Sequence, residues 1–475
     1  MRYGEQGIAN TLKKVKGTYG LAIMAKDRPH ELIAARNGSP LVIGIGNGGH
    51  MFSSDISALL GRVEDVIYMN DGEMVVLTKD NVKILDISKF KHVRISKRKK
   101  LSGSIKHVKK NRYSHFILKE IFEQPESIYN SFRGRIMQKT GIVKLEELER
   151  MRSKLKNIKR IIITGCGTAY LAGSVGKLII EELAGIPCEV ILASELRYHI
   201  LPTERQNLAM VAIYRSGETV DTLAALRCFK KRSMLALGIV NVSGSTIARE
   251  ADAVIYNRVG PEIGVASTKA FTSQVTILAL LAIFLGRERG FLSGDISKRI
   301  IGEIEKLPML AKQVLGQKNK VKLMAKKYKD YNNFLYIGRK YNFPVALEGA
   351  LKLKEVSYIH AEGYGAGEMK HGPIAMIDEN FPTLAIAPVD SVYDKMVSNM
   401  EEIKARRGKI IAITTEGNKK IEHIADDWLY IPKTLEILTP ILAIIPLQLF
   451  AYYMGMLKGF EVDKPKNLAK SVTVE

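Results

Sequence analysis

Short runs of β-branched apolar residues, each closed by a turn rich in Gly, Ser or Thr and followed at once by a helical segment, recur along most of this chain and leave it few possible folds. "IKRIIITGCGTAYLAGSVGKLIIEEL" begins the series, and "PCEVILAS", "NLAMVAIYRSGET", "SMLALGIVNV" and "ADAVIYN" continue it. This alternation predicts a parallel sheet covered on both faces by helices. The theme returns in "NNFLYIGRKYNFPVALEGALKLKEVSYIH", "TLAIAPVD", "KIIAITTE" and "DWLYIP". Two α/β units of similar build are therefore expected, at 145–290 and 325–475, with a cleft at the carboxyl ends of their strands, where open sheets bind ligands. The apolar run Val275 to Leu285 is too short to span a bilayer, and Ile441 to Met456 carries Pro446 and Gln448, so no membrane helix is expected.

Residues 1–87 read differently. "TYGLAIMA", "ELIAARNG", "PLVIGIG" and "HMFSSD" are short apolar runs broken by Gly, Asn, Pro and Asp. Asn70-Asp71-Gly72, between "DVIYM" and "EMVVLT", predicts a hairpin. A formal net charge of +23 asks for anionic partners, and eleven of the basic residues fall between Lys89 and Arg112. That run has little aromatic interleaving and no nucleic-acid motif, so it reads as part of a solvated linker over 88–144 rather than a nucleic-acid site. Three cysteines without metal-ligand spacing fit a reducing cytoplasm, and neither a metal nor an organic cofactor is expected.

"IYRSGET" ends a buried strand on Ser216-Gly217-x-Thr219 and starts a helix. Such a turn leaves backbone N–H groups pointing outward, lets a ligand approach at Gly217 and adds two hydroxyls beside the positive helix start, which makes an anion site. The same residues would also serve as a plain helix cap. "TGCGTAY" and "GPEIGVASTKAFTSQ" supply two further turns of this kind, and three in one unit favour phosphate.

"GPEIGVASTKAFTSQ", "ALEGALKLKEVSYIHAE", "GEMKHGP" and the terminal "NLAKSVTVE" resemble the isomerase half of the glutamine:fructose-6-phosphate aminotransferase family. The resemblance extends over essentially the whole chain. It implies two tandem sugar-isomerase (SIS) domains preceded by the second part of an N-terminal-nucleophile glutaminase domain. It also implies conversion of fructose 6-phosphate to glucosamine 6-phosphate with nitrogen from glutamine or ammonia, in a homodimer whose active sites borrow residues across the subunit interface.

Carried over by position, the Schiff-base lysine is Lys470, the base that moves a proton between C1 and C2 is Glu355, and Lys352 stabilises charge on the sugar oxygen. His371 in "MKHGP" matches the residue for ring opening. Ser216 and Thr219 match phosphate ligands, with Gly217 in the same turn; Thr168 matches a ligand contact, and Val265 and Ser267 match sugar contacts. Independently of the resemblance, Glu348, Lys352 and Glu355 stand four and three apart and share one helix face, and a neighbouring cation favours the ionised carboxylate that a base requires.

The chain departs from the family at several points. Tyr214-Arg215 stands where the family has Ser-Gln, Ala169 where it has Ser, and Lys466 where it has Arg. Arg215 could hold the phosphate bidentately, and Tyr214 would add bulk to the pocket. The family's glutaminase nucleophile is a cysteine at the start of the mature chain, whereas this sequence opens Met1-Arg2 and has no cysteine before Cys166. Residues 1–87 are thus expected to be a half-domain that cannot hydrolyse glutamine alone: either the sequence lacks its first part, or a second polypeptide supplies it, or the protein uses free ammonia. Two other functions fit the same residues: an ammonia-independent sugar phosphate isomerase, and a sugar-phosphate sensor that turns nothing over.

Overall fold

The computed structural model describes residues 4–95, 98–100, 109–199, 207–215 and 219–470. Helix Phe116–Phe122 (α1) leads into the first α/β unit. Its strands are Arg160–Gly165 (β1), Cys188–Leu192 (β2), Leu208–Ile213 (β3), Leu235–Val240 (β4) and Ala253–Tyr256 (β5). They lie in the order β2-β1-β3-β4-β5 and are all parallel. Ile161 and Ile163 of β1 enter the central core, while Ile162 packs on the other face. Three β-branched residues in a row can therefore each be buried, because the sheet is covered on both sides. Gly167, at φ +51°, turns the chain off β1 into helix Thr168–Ala184 (α2), a conformation that costs glycine little. Val220–Lys231 (α3) follows β3, and Lys269–Glu288 (α4) follows β5.

The second unit repeats the plan. Asn333–Gly338 (β6), His360–Gly365 (β7), Thr383–Ala387 (β8), Ile410–Thr415 (β9) and Asp427–Ile431 (β10) form a parallel sheet in the order β7-β6-β8-β9-β10. Phe343–Ser357 (α5) follows β6, and Thr439–Leu457 (α6) closes the unit. One hydrophobic cluster runs through α2, α4, α5 and α6, so the two units share a core. The α4 helix and the stretch Glu436–Leu457 are long and apolar enough to cross a membrane, yet each is wholly enclosed by protein. Burial on all sides explains why they lack a polar face.

The N-terminal residues form two antiparallel sheets. One contains Tyr19–Ala25, Arg28–Asn37, Glu73–Leu77, Val82–Asp86 and Lys91–His92; the other contains Gly49–Ser53, Val42–Gly46, Asp65–Tyr68 and Lys99–Lys100. Parts of the basic run thus add strands to both sheets, beyond residue 87. The expected hairpin at 70–72 does not form: the strand before it belongs to one sheet and the strand after it to the other. Buried Arg36 provides the reason. Its Nε donates to Asp71 at 3.1 Å, its carbonyl accepts from Gly72 N at 2.9 Å, and Asp71 also accepts from Gly38 N at 2.8 Å. The turn is held across the unit instead of within a hairpin. Arg36 Nη2 further donates to Thr246 at 2.9 Å, Tyr68 donates to the Ser243 carbonyl at 2.8 Å and Arg227 pairs with Asp71 at 3.1 Å, docking this unit on the first α/β unit.

The packing of α2 on α4 is close enough to be tested at one atom. A Cβ on Gly286 would stand 2.1 Å from the Leu183 carbonyl oxygen, which is backbone and cannot rotate away. Gly286→Ala is expected to destabilise the α/β units by about 1–3 kcal/mol, read as a lower melting temperature by calorimetry. An unchanged melt would contradict this packing.

Candidate active site

The turn that ends β1 delivers Thr168 to the start of α2, opposite one face of α5. Glu348, Lys352 and Glu355 share that face, as their spacing requires. The Thr168 hydroxyl donates to Glu348 at 3.0 Å and accepts from Lys352 Nζ at 3.1 Å. Lys352 Nζ also lies 3.4 Å from Glu348 and 2.5 Å from Glu355. Lys352 and Glu348 are fully buried, whereas the Glu355 side chain is 23% exposed. Burial pulls the Lys352 pKa down, but the Glu348 and Glu355 carboxylates outweigh it and raise it, so the ammonium stays charged. Burial pushes Glu348 up to about 7, helped by the charge of Glu355 and resisted by Lys352 and Thr168. Its Oε2 is buried with no hydrogen-bond partner among the described residues.

A second acid pair pins the loop between β5 and α4. The Glu262 carboxylate accepts from Ser267 Oγ at 2.9 Å, Thr268 N at 2.8 Å and Ala270 N at 3.3 Å. Glu120, on α1, accepts from Ile263 N and, at 3.1 Å, from Gly264 N. Burial and then the charge of Glu262 push Glu120 up. Burial also works against charge on Glu262, but Arg215, the Thr268 N–H, Lys269 and Ser267 together hold it below the ordinary range. Two carboxyls close enough to repel one another have their pKa values driven apart in this way.

Lys470 reaches the same region from the carboxyl-terminal tail. A cavity of about 1130 Å³ opens between the N-terminal unit and the first α/β unit, with Asp55, Tyr68, Arg215, Arg258, Glu262 and Lys470 among its walls. Lys470 Nζ lies 3.9 Å from Asp55. Burial and the Arg215 charge lower its pKa, against Asp55, Glu120 and Glu262. Glu262 acts electrostatically on both Lys470 and Lys352, which connects the cavity wall with the α5 cluster.

The remaining sequence-predicted residues fall as follows. Thr219 is buried in the N-cap position of α3, with no side-chain cap hydrogen bond; capping therefore does not use its hydroxyl. Ser216 and Gly217 lie outside the described residues. Val265 N donates to the Asp463 carbonyl at 2.9 Å and its own carbonyl faces Arg215, while Ser267 is bound to Glu262. His371 ends an exposed 3₁₀ turn and has no hydrogen-bond or ion-pair partner among the described residues. One expectation needs correction: Tyr214 buries its ring in the cluster beneath α3, because along β3 the even-numbered residues face that helix. Arg215 binds the Val265 carbonyl at 3.1 Å, the Lys470 carbonyl, and Glu262 at 3.5 Å. Glu348, Glu262 and Glu120 were not singled out as site residues. Only Glu348 had a usable signal, its i,i+4 spacing to Lys352.

The SIS domain model matches residues 154–284 and 327–458, and two such domains with this cleft define a tandem SIS protein. The glutamine–fructose-6-phosphate aminotransferase [isomerizing] of Chlorobaculum tepidum is 46% identical over 472 residues, covering 99% of this chain and 76% of that protein. Its counterpart in Bacteroides thetaiotaomicron is 46% identical over 465 residues, covering 98% and 75%. The solved C-terminal domain of glucosamine-fructose-6-phosphate aminotransferase from Francisella tularensis aligns with a TM-score of 0.71 at 36% identity, covering 77% of this chain and 100% of that one. The chain belongs to the glutamine–fructose-6-phosphate aminotransferase family.

The Glu348 carboxyl binds its proton more tightly in the folded chain than at its ordinary value of 4.5. Its contribution to stability is full below 4.5 and is lost as pH rises through about 7. Glu348→Gln removes this titration. The melting temperature of the variant relative to the wild type is therefore expected to climb between those two pH values. A pH-independent difference would refute the assignment.

Proposed function

We propose that the chain converts fructose 6-phosphate to glucosamine 6-phosphate, with Lys470, Glu355, Lys352 and His371 in the roles that the family resemblance implies. The observation that carries this reading is the bonded cluster of Thr168, Glu348, Lys352 and Glu355, tied through Glu262 to the Lys470 amine. A non-catalytic sensor has no use for a buried ammonium held against a partly exposed carboxylate, together with a second amine whose pKa is lowered.

Lys470 Nζ attacks C2 of the open-chain ketose, and the carbonyl oxygen leaves as water, forming an imine. Ammonia then adds at C2 and displaces the Lys470 amine. Glu355 takes a proton from C1 and returns one to C2, and loss of the O1 proton leaves an aldehyde at C1. Net, one ammonia enters and one water leaves. Lys352, charged and 2.5 Å from Glu355, stands where it stabilises the oxyanion at O1 while the proton moves. Thr219, its hydroxyl free of capping, serves the phosphate together with Ser216, Gly217 and the start of α3. Val265 and Ser267 line the sugar, and the N-terminal sheets act as part of a glutaminase unit that closes over the cavity carrying Lys470.

The working form in this reading is a homodimer. His371 is exposed and has no partner among the described residues of its own chain, and it would open the ring in the cleft of the neighbouring protomer. Nitrogen enters as ammonia, so ammonium is expected to support turnover of fructose 6-phosphate. Lys470→Ala abolishes the adduct that borohydride traps, while Glu355→Gln keeps the adduct and loses about 10²–10⁴-fold in kcat. An adduct that survives Lys470→Ala would end this mechanism. Random mixing of inactive Lys470→Ala and His371→Ala chains is expected to restore about a quarter of wild-type activity through mixed dimers with one intact site. No recovery on mixing would place His371 in the cleft of its own chain.

A further inference from the structure

Arg215 is the last residue described before the phosphate turn, and its guanidinium contacts the 262–268 loop and the carboxyl-terminal tail. Nη2 donates to the main-chain carbonyl of Lys470, Nη1 donates to the carbonyl of Val265 at 3.1 Å, and Nη1 lies 3.5 Å from Glu262. The Arg215 side chain is only 17% exposed. The Arg215 carbonyl accepts from Asn241 N at 3.3 Å, and the preceding residue is hydrogen-bonded to β4 through Tyr214 N and the Ile239 carbonyl at 2.8 Å. The arginine therefore springs from the carboxyl end of the sheet's central strand and reaches two irregular segments, a loop and the chain's tail.

Both partners are tied elsewhere as well. Val265 N donates to the Asp463 carbonyl at 2.9 Å, and the Asp463 carboxylate accepts from Phe116 N at 3.0 Å and Ile117 N at 2.9 Å at the start of α1. Beyond Asp463 the tail is held at Lys466, whose N–H donates to the Tyr358 hydroxyl at 2.7 Å, and then at the Lys470 carbonyl by Arg215. We propose that Arg215 is a positioning residue for Lys470: by bridging the tail and the 262–268 loop, it sets where the Lys470 amine stands on the cavity wall. The inference rests on the reading of Lys470 as the imine-forming amine and adds the group that holds it.

The charge of the same guanidinium has a second effect. Only a neutral amine attacks a carbonyl. The groups facing the Lys470 amine are Arg215, which disfavours its protonation along with burial, and Asp55, Glu120 and Glu262, which favour it. A neutral side chain at 215 removes the opposing cation and leaves three carboxyls to favour the ammonium. The acid limb of Lys470 reactivity then moves to higher pH. Lysine at 215 keeps the charge and one donor.

The test compares wild type, Arg215→Gln and Arg215→Lys by two readouts. In the first, the pH dependence of Lys470 acetylation by acetic anhydride is followed by mass spectrometry, without sugar. In the second, the rate of borohydride-trapped imine formation is measured at saturating fructose 6-phosphate. Arg215→Gln is expected to shift the acetylation midpoint upward and to slow imine formation about ten- to a hundredfold, and Arg215→Lys to recover most of both. Wild-type midpoint and imine rate in Arg215→Gln would overturn the proposal, as would a loss confined to KM for the sugar phosphate, which would put the guanidinium on the substrate. Acetylation decides the matter without turnover. If wild-type Lys470 acetylates but forms no imine, the imine role fails, and the clamp still stands or falls on its midpoint.

Discussion

A buried ammonium is stable only where the groups around it replace its water, and Lys352 has three such groups from two units of the fold. Glu348 and Glu355 come from its own helix, and Thr168 comes from the start of α2 in the other α/β unit. Removing a carboxylate leaves charge uncompensated in a medium where that costs several kcal/mol, and removing the Thr168 hydroxyl leaves an ammonium N–H unpaired. The arrangement of α2 against α5 is thus fixed by electrostatics as well as by their shared hydrophobic core. Everything that the cleft presents is referred to this contact.

The loop over 262–268 is held by a different device. It contains no regular structure of its own, so its N–H groups need acceptors, and its own Glu262 and Glu120 of α1 supply them. Placing Glu120 and Glu262 together would be costly if both were charged. Their pKa values move apart, and Lys269 and Arg215 supply the counter-charge. One consequence is that Arg215 is already committed to Glu262 before it reaches Lys470. A guanidinium with five donors can serve both, which a lysine or glutamine cannot do equally.

Much of the fold was legible because buried parallel strands leave a strong trace. Runs such as Ile161 to Thr164 and Ile410 to Thr415, each closed by a turn, have few other uses, and the doubled pattern announced two units. The grouping of Glu348, Lys352 and Glu355 followed from helical spacing alone. The Asn70-Asp71-Gly72 turn did not follow, because a hairpin signal is local and the carboxylate of Asp71 is claimed by Arg36, 35 residues away. The direction of Arg215 was equally hidden. Its partners lie 50 and 255 residues further along the chain, and no pattern of spacing reports contacts of that range. Tyr214 was misplaced for a simpler reason: which face of β3 it takes depends on where the strand ends.

The cleft also shows why a catalytic amine can be carried on a chain end. A terminal segment has few neighbours and frays unless it is tied. Here the tail is fastened at Asp463 to the N–H groups of α1, at Lys466 N to the Tyr358 hydroxyl and at the Lys470 carbonyl to Arg215, so the main chain of the reactive residue is itself held. Its side chain then projects toward Asp55 of the N-terminal unit. The amine is therefore placed by the first α/β unit but faces the unit beyond it, at the one boundary that both could sense. A change in how the N-terminal unit sits would alter the Asp55 contact directly, and with it the charge state of the amine. The α5 cluster, enclosed between the two α/β units, would feel the same change only through Glu262.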